Sequence, residues 1–219
     1  MKILAFDFSS PQRSVAVWNG SAIASEIVDV SPGRDMKPLA LIERALTDAG
    51  LPREAIDCIA VGLGPGSYTG IRVALSLAQG WQLAAGVKLI GMSSAAAIAS
   101  QAAASGVDAS FNVVVDAQRG EFYVARYVAE DGDARETEAL RLMTAADVRE
   151  LKQRGELLVG PEVTRWFPQG RPAFPSAVAI AKWARGQTDF VPGETLEPIY
   201  LRQTEFVKAP PPRKVSFTD

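Results

Sequence analysis

The residues of this chain best suited to chemistry are two aspartates and one glycine-rich loop. Asp7 ends the run ILAFD and Asp116 ends NVVVD, and after a short turn each is followed by a second β-rich run, SVAVW and EFYVARY. Hairpins of this kind wrap ATP phosphates in some phosphotransferases, with glycine beside the acid so that backbone can come close. The loop is GLGPGSYTGIR, residues 62–72, which holds Gly62, Gly64, Pro65, Gly66 and Gly70. A glycine-rich turn that opens a helix is a common place to hold an anion. The 219 residues contain no histidine. That removes the commonest general base at neutral pH and every Ser-His-Asp, Cys-His or HExxH arrangement. Carboxylates, Lys, Arg, Tyr and backbone amides are left, and a Ser-Lys peptidase stays open on composition.

The loop fits neither phosphate template. A P-loop needs lysine directly after its last glycine, and Gly70 is followed by Ile71. The dinucleotide fingerprint needs G-x-G-x-x-G, and Gly64, Gly66 and Gly70 run one residue too long. Pro65 also removes an amide where a cradle would want one. The other reading of Gly64, Pro65, Gly66, Ser67, Tyr68, Thr69 and Gly70 is a tight strand-to-helix turn capped by Ser67 or Thr69. The hairpins are equally poor cradles. Phe8, Ser9 and Ser10 follow Asp7 without a glycine, and Gly120 comes four residues after Asp116. Each acid could simply bond its own turn. No CxxC motif and no acidic cluster is spaced for a metal, so no metal or cofactor is expected.

The elements that would position these residues form an α/β pattern. Short strands over 3–8, 14–18 and 22–30 precede a helix over 36–51, with Leu39, Ile42, Leu46 and Ala49 expected on one face. A buried-type strand, IDCIAVG, leads into the loop, then a helix over 69–85, the strand VKLIG and an alanine-rich helix to Ala104. The opening pattern then returns, with Asp116 aligning on Asp7, which suggests two similar halves. The second half adds TAADVRELKQRG, where Thr144 and Asp147 form a capping-box pattern, then LLVG and a helix near SAVAIAKWARG. The halves are expected at 1–104 and 105–208, with a proline-rich, disordered tail at 209–219. Net charge is −2, the single cysteine Cys58 reads as a buried hydrophobe, and the four tryptophans read as packing residues. There is no signal-like or membrane-spanning run, and a reducing cytoplasm is expected.

The helix over 69–85 is unusual in charge. Its sole ionisable side chain is Arg72. Spacing places Val73, Ala74, Leu77, Ala78, Trp81, Ala84 and Ala85 toward the sheet, and Arg72, Leu75, Ser76, Gln79, Gln82 and Leu83 opposite. A face without Lys or Glu suits the centre of a protein interface. Burial under another part of the same chain would suit it as well. Ala40 and Leu41 on the preceding helix could extend such a patch.

Taken together, ILAFDFSS with SVAV, the GPGSYTGIR loop, GVKLIGMSSAAAIA, VVVDAQRGEFYVARY and EPIYLR resemble the TsaB family of tRNA threonylcarbamoyladenosine (t6A) biosynthesis proteins. The resemblance runs nearly end to end. It implies an actin-like (ASKHA) duplicated α/β fold, in keeping with the Asp7/Asp116 repeat. It also implies a non-catalytic scaffold that pairs with a TsaD-type catalytic subunit through its first-half helices. That subunit transfers threonylcarbamoyl to the adenosine beside the anticodon of ANN-reading tRNAs, with a TsaE-type ATPase joining the complex. Self-pairing by the same surface and contact with tRNA through the complex follow from the same likeness. The partner-facing residues would then be Ala40, Leu41, Arg72, Leu75, Ser76, Gln79, Gln82 and Leu83, and Asp7 and Asp116 would be vestigial. On that reading Leu75→Glu weakens pairing and spares the fold. Phe8 stands where many members have threonine, and SPGRDMKPLA lacks their histidine. The rival reading is an active actin-like ATPase or kinase using Asp7 and Asp116 with Mg·ATP.

Overall fold

The computed structural model describes residues 1–32 and 36–201; the tail expected at 209–219 lies outside the described residues. Among the described residues there are ten strands, arranged as two five-stranded sheets, and six α-helices. In the first, β1 (Ile3–Asp7), β2 (Arg13–Trp18) and β3 (Ile23–Asp29) form an antiparallel meander. β4 (Cys58–Gly62) and β5 (Lys88–Met92) then extend it in parallel, giving the order β3-β2-β1-β4-β5. The second sheet repeats this plan. β6 (Ser110–Asp116), β7 (Glu121–Glu130) and β8 (Asp133–Thr144) form the meander, with β9 (Leu157–Gly160) parallel beside β6 and the short β10 (Arg171–Pro172) parallel beside β9. Its order is β10-β9-β6-β7-β8, the first sheet read from the other edge. Asp7 and Asp116 end equivalent strands. This is the duplicated actin-like α/β fold.

Alternation along the strands decides what covers each face. In β1, Leu4 and Phe6 point to the face where α1 (Pro38–Asp48) and α2 (Tyr68–Ala85) pack, in one core with Val15, Val17, Ile59 and Val61. Ile3 and Ala5 point the other way, with Ala16, Cys58 and Ala60, against α6 (Ala177–Ala184). Alanines on both sides let that helix lie close to the sheet. The two inner helices are exchanged between halves. α3 (Ser94–Ala104) follows the first sheet in sequence yet packs Ala95, Ile98, Ala99 and Ala102 against Phe111, Val113, Tyr123 and Tyr127 of the second. α6 comes late in the chain and packs on the first sheet. The second sheet's outer face carries α4 (Ala145–Gln153) and the short α5 (Val163–Trp166), over Val114, Phe122, Val124 and Leu158.

Local signals set the ends. Thr144 and Asp147 form the reciprocal capping box at the start of α4. Ser67 is the N-cap of α2, accepting from the Gly70 amide at 3.3 Å. Leu39 is 58% exposed, so the buried stripe of α1 is Ile42, Ala45 and Leu46 instead. Among the described residues no helix is long and apolar enough to cross a membrane.

Candidate functional site

Asp7 is fully buried at the end of β1, and both of its oxygens are used by the chain. Oδ1 accepts from the Ser9 amide at 2.7 Å and from Ser9 Oγ at 2.6 Å. Oδ2 accepts from Ser94 Oγ at 2.5 Å, and Ser94 Oγ in turn accepts from the Gly64 amide at 2.9 Å. Burial pushes this carboxyl above the ordinary carboxylate range, against the opposing pull of the Ser9 and Ser94 hydrogen bonds. Asp7 therefore joins a strand, a turn and a helix start and does not line the cleft.

The glycine loop closes on the same turn. The Ser67 amide donates to the Ser9 carbonyl at 2.6 Å. A Cβ on Gly66 would lie 2.1 Å from the Ser9 carbonyl oxygen, and one on Gly70 would lie 1.8 Å from that of Phe8. The glycines are needed because backbone packs on backbone at this point. The anion they could have approached is replaced by the chain's own hairpin.

Asp116 is half-buried, and its Oδ1 accepts from the Gln118 amide at 2.7 Å, an aspartate bonding its own turn. Gln118 and Arg119 both take positive φ there, 64° and 58°. Between the two halves lies a cleft of about 860 Å³, lined by Ser9, Ser10, Gly66, Tyr68, Thr69, Asp116, Gln118, Trp166 and Tyr200, among others. Trp166 stands at its mouth, 42% exposed, with its ring packed edge-on against Phe122. Among the described residues no group of three or more acidic or sulfur side chains is gathered to hold a metal ion.

The face of α2 divides differently from the expected arcs. Ile71, Ala74, Leu75 and Ala78 are its buried stripe. Leu75 is only 5% exposed, in the core with Leu89 and Leu196. Gln79 donates to the Gly193 carbonyl at 2.8 Å, and Gln82 accepts from the Gly193 amide at 2.6 Å. A strap over residues 191–200 thus lies along α2, tied to the first sheet by Val191 N–H to the Leu89 carbonyl and Ile199 N–H to the Leu63 carbonyl, both 2.9 Å. For Leu75, Gln79 and Gln82, internal burial is the correct alternative. Arg72, Ser76 and Leu83 do face outward, with Leu83 91% exposed; Ala40 is exposed and Leu41 half-buried. Ala84 is exposed, and Val73 and Leu77 are half-buried beside them.

Comparison with known proteins bears on this arrangement. A family model described as TsaD, tRNA N6-adenosine threonylcarbamoyltransferase, matches residues 37–191. The tRNA threonylcarbamoyladenosine biosynthesis protein TsaB of Escherichia coli is 29% identical over 221 residues, covering 92% of this chain and 95% of its own. The chain belongs to the TsaB family. An uncharacterized protein of Mycobacterium tuberculosis is 33% identical to this TsaB-family chain over 218 residues, covering 93% of this chain and 92% of its own. A Pseudomonas aeruginosa structure, described as an uncharacterized protein with similarity to peptidase YeaZ, superposes with a TM-score of 0.75 at 25% identity. It covers 92% of this chain and 99% of its own.

Two features of the TsaB-family chain went unread in its sequence. Ser94, the buried donor to Asp7, is one serine at the start of an alanine-rich helix and carries no pattern that marks it. The strap over 191–200 carried no periodic signal and is held mainly through backbone groups, which leave little trace in side-chain pattern.

Proposed function

We propose that this chain is a non-catalytic partner subunit in t6A biosynthesis, pairing with a TsaD-type catalytic subunit that transfers threonylcarbamoyl to the adenosine beside the anticodon. The observation that carries this reading is the outward strip of α2: Arg72, Ser76, Leu83 and Ala84, flanked by half-buried Val73 and Leu77, with Arg72 the single charge. A water-facing helix side normally carries several charges, and covering Leu83 alone is worth about 1.5–3 kcal/mol before association costs. The same strip would serve a second copy of the chain when the catalytic subunit is absent. A TsaE-type ATPase would join the pair, tRNA would be met through the complex, and the setting would be cytoplasmic. The closed Asp7 supports a role without independent catalysis.

Co-purification with the catalytic subunit tests this, followed by a tRNA-modification assay with and without this chain. Leu83→Glu should cut both capture and modification while leaving the melting temperature unchanged. Full activity without the chain would sink the proposal.

A second reading, an Mg·ATP-dependent ATPase or kinase, draws on the position of the cleft, which touches both hairpin turns. It requires Asp116 to act without Asp7. Calorimetry with Mg·ATP separates the two readings: micromolar binding lost in Asp116→Asn would favour the enzyme.

A further inference from the structure

Four of the nine large hydrophobic side chains exposed among the described residues line one cleft: Val30 at 74%, Tyr68 at 56%, Trp166 at 42% and Tyr200 at 40%. Their rings are already ordered. Tyr68 stacks on Tyr200 with centroids 5.7 Å apart, and Arg72 lies over the Tyr68 ring at 4.1 Å. Across the cleft, Trp166 meets Phe122 edge-on at 5.7 Å. Pro11, Pro32 and Pro161 complete the apolar walls.

The charges of the cleft favour a basic occupant over an anionic one. Among the described residues, its lining holds Arg13, Asp116 and Glu162 as charged groups. Arg13 is spent, since its guanidinium donates to Asp29 at 3.0 Å and to the Ser31 carbonyl at 2.8 Å. Asp116 and Glu162 are left to set the sign, with Glu162 only loosely held by Arg165 at 3.7 Å. A phosphate-bearing ligand would meet two carboxylates and, among the described lining residues, no uncommitted cation.

The sequence beyond the described residues supplies a matching ligand. Residues 209–214 read APPPRK, three prolines followed by two cations, and residues 202–219 carry four basic and two acidic side chains. Proline-rich segments are pre-formed, low-entropy ligands for aromatic-lined grooves, and a flanking cation adds specificity against acidic rims. The tether is short. Tyr200 is itself part of the cleft, Ala209 follows nine positions later, and a random coil of nine residues spans roughly 15–18 Å on average. A tether of that length holds the segment at an effective concentration in the millimolar range.

We propose that the cleft between the two halves is a docking groove for this chain's own residues 209–214. Docking occupies the space between the hairpin turns, with prolines against Tyr68, Trp166 and Tyr200 and with Arg213 and Lys214 toward Asp116 and Glu162. The inference stands apart from the pairing role of α2.

Disulfide trapping in the full-length chain tests it, because Cys58, the only native thiol, is buried. Ala209→Cys is combined with Thr69→Cys in the groove, or with Ser21→Cys on the exposed β2–β3 turn as control. Under mild oxidation the groove pair should close at least tenfold faster than the control, as a monomer, at a rate independent of protein concentration. Adding Arg213→Glu and Lys214→Glu should bring that rate down to the control's. Equal rates at the two positions, covalent dimers in place of the internal bond, or indifference to the charge reversal would each overturn the proposal.

Discussion

Ser94 Oγ sits 2.5 Å from Asp7 Oδ2, joining the end of the first strand to the start of a helix that packs on the other half of the molecule. The hydroxyl also accepts from Gly64, so a single serine ties strand, loop and crossing helix together. Ser94→Ala leaves a buried carboxyl oxygen and a buried amide short of a partner, at a cost of about 1–3 kcal/mol each when unsatisfied. Chemical denaturation should show a large loss of stability, with Ser94→Thr recovering part of it.

Asp7 should also give stability an inverted pH dependence. Its folded pKa lies above the unfolded value because burial disfavours the charge. The native state therefore holds the proton more tightly than the unfolded state. Stability from this group is complete below the unfolded value of 3.8 and is lost as pH rises through the folded pKa. Asp7→Asn keeps the shape without the ionisation. Denaturation curves taken above pH 4 should show a smaller decline with rising pH in the variant, and identical slopes would refute the assignment.

The loop glycines should tolerate no side chain. Gly70→Ala forces a Cβ into the Phe8 carbonyl, and Gly66→Ala does the same at Ser9 with an added positive φ of 149°. Neither obstacle is a flexible side-chain end, so backbone must move. Each variant should lose several kcal/mol, on the scale of other backbone-strain substitutions. Gly80→Ala, where a Cβ meets nothing within 4 Å, should be neutral or slightly stabilising in a helix.

Leu75 and Leu83 should separate folding from pairing. Leu75 lies in the core, so Leu75→Glu should unfold the chain, and Leu75→Ala should cost about 2–5 kcal/mol. Circular dichroism melts of the two glutamate variants provide the check, with only Leu83→Glu expected to match wild type.

Cys58 should be chemically silent. Burial pushes its thiol up to about 12, so at pH 8 almost none is thiolate. A disulfide reagent should label it only after denaturant is added; rapid labelling of the native chain would contradict its position between the first sheet and α6.

Much of the fold was legible because local signals and tertiary structure agree. The Asp7/Asp116 alignment predicted the duplication, and it is realised as two sheets of one topology. The capping box at Thr144 fixed the start of α4. β8 was harder to see, since DARETEALRLMT scatters charges along a strand with much of one face in water. The outer face of α2 was half legible. Periodicity finds an uncharged arc, yet it cannot distinguish a partner from the strap at 191–200, which arrives more than a hundred residues later and covers Gln79 and Gln82. Trp166 does pack, edge-on against Phe122, but only the gap between the halves reveals that its other side is at a rim.

The exchange of α3 and α6 matters while the chain is being made. Strands β1 to β5 are complete at Met92, yet one face of that sheet waits for Ala177, Ile180, Ala181 and Ala184. At ribosomal speeds of about 5–20 residues per second, that wait lasts roughly 4–17 seconds. For that interval Ile3, Ala5, Ala60 and Ile90 are an open apolar surface on a nascent chain, so newly synthesised polypeptide, more than finished protein, is the form in greatest need of chaperone cover.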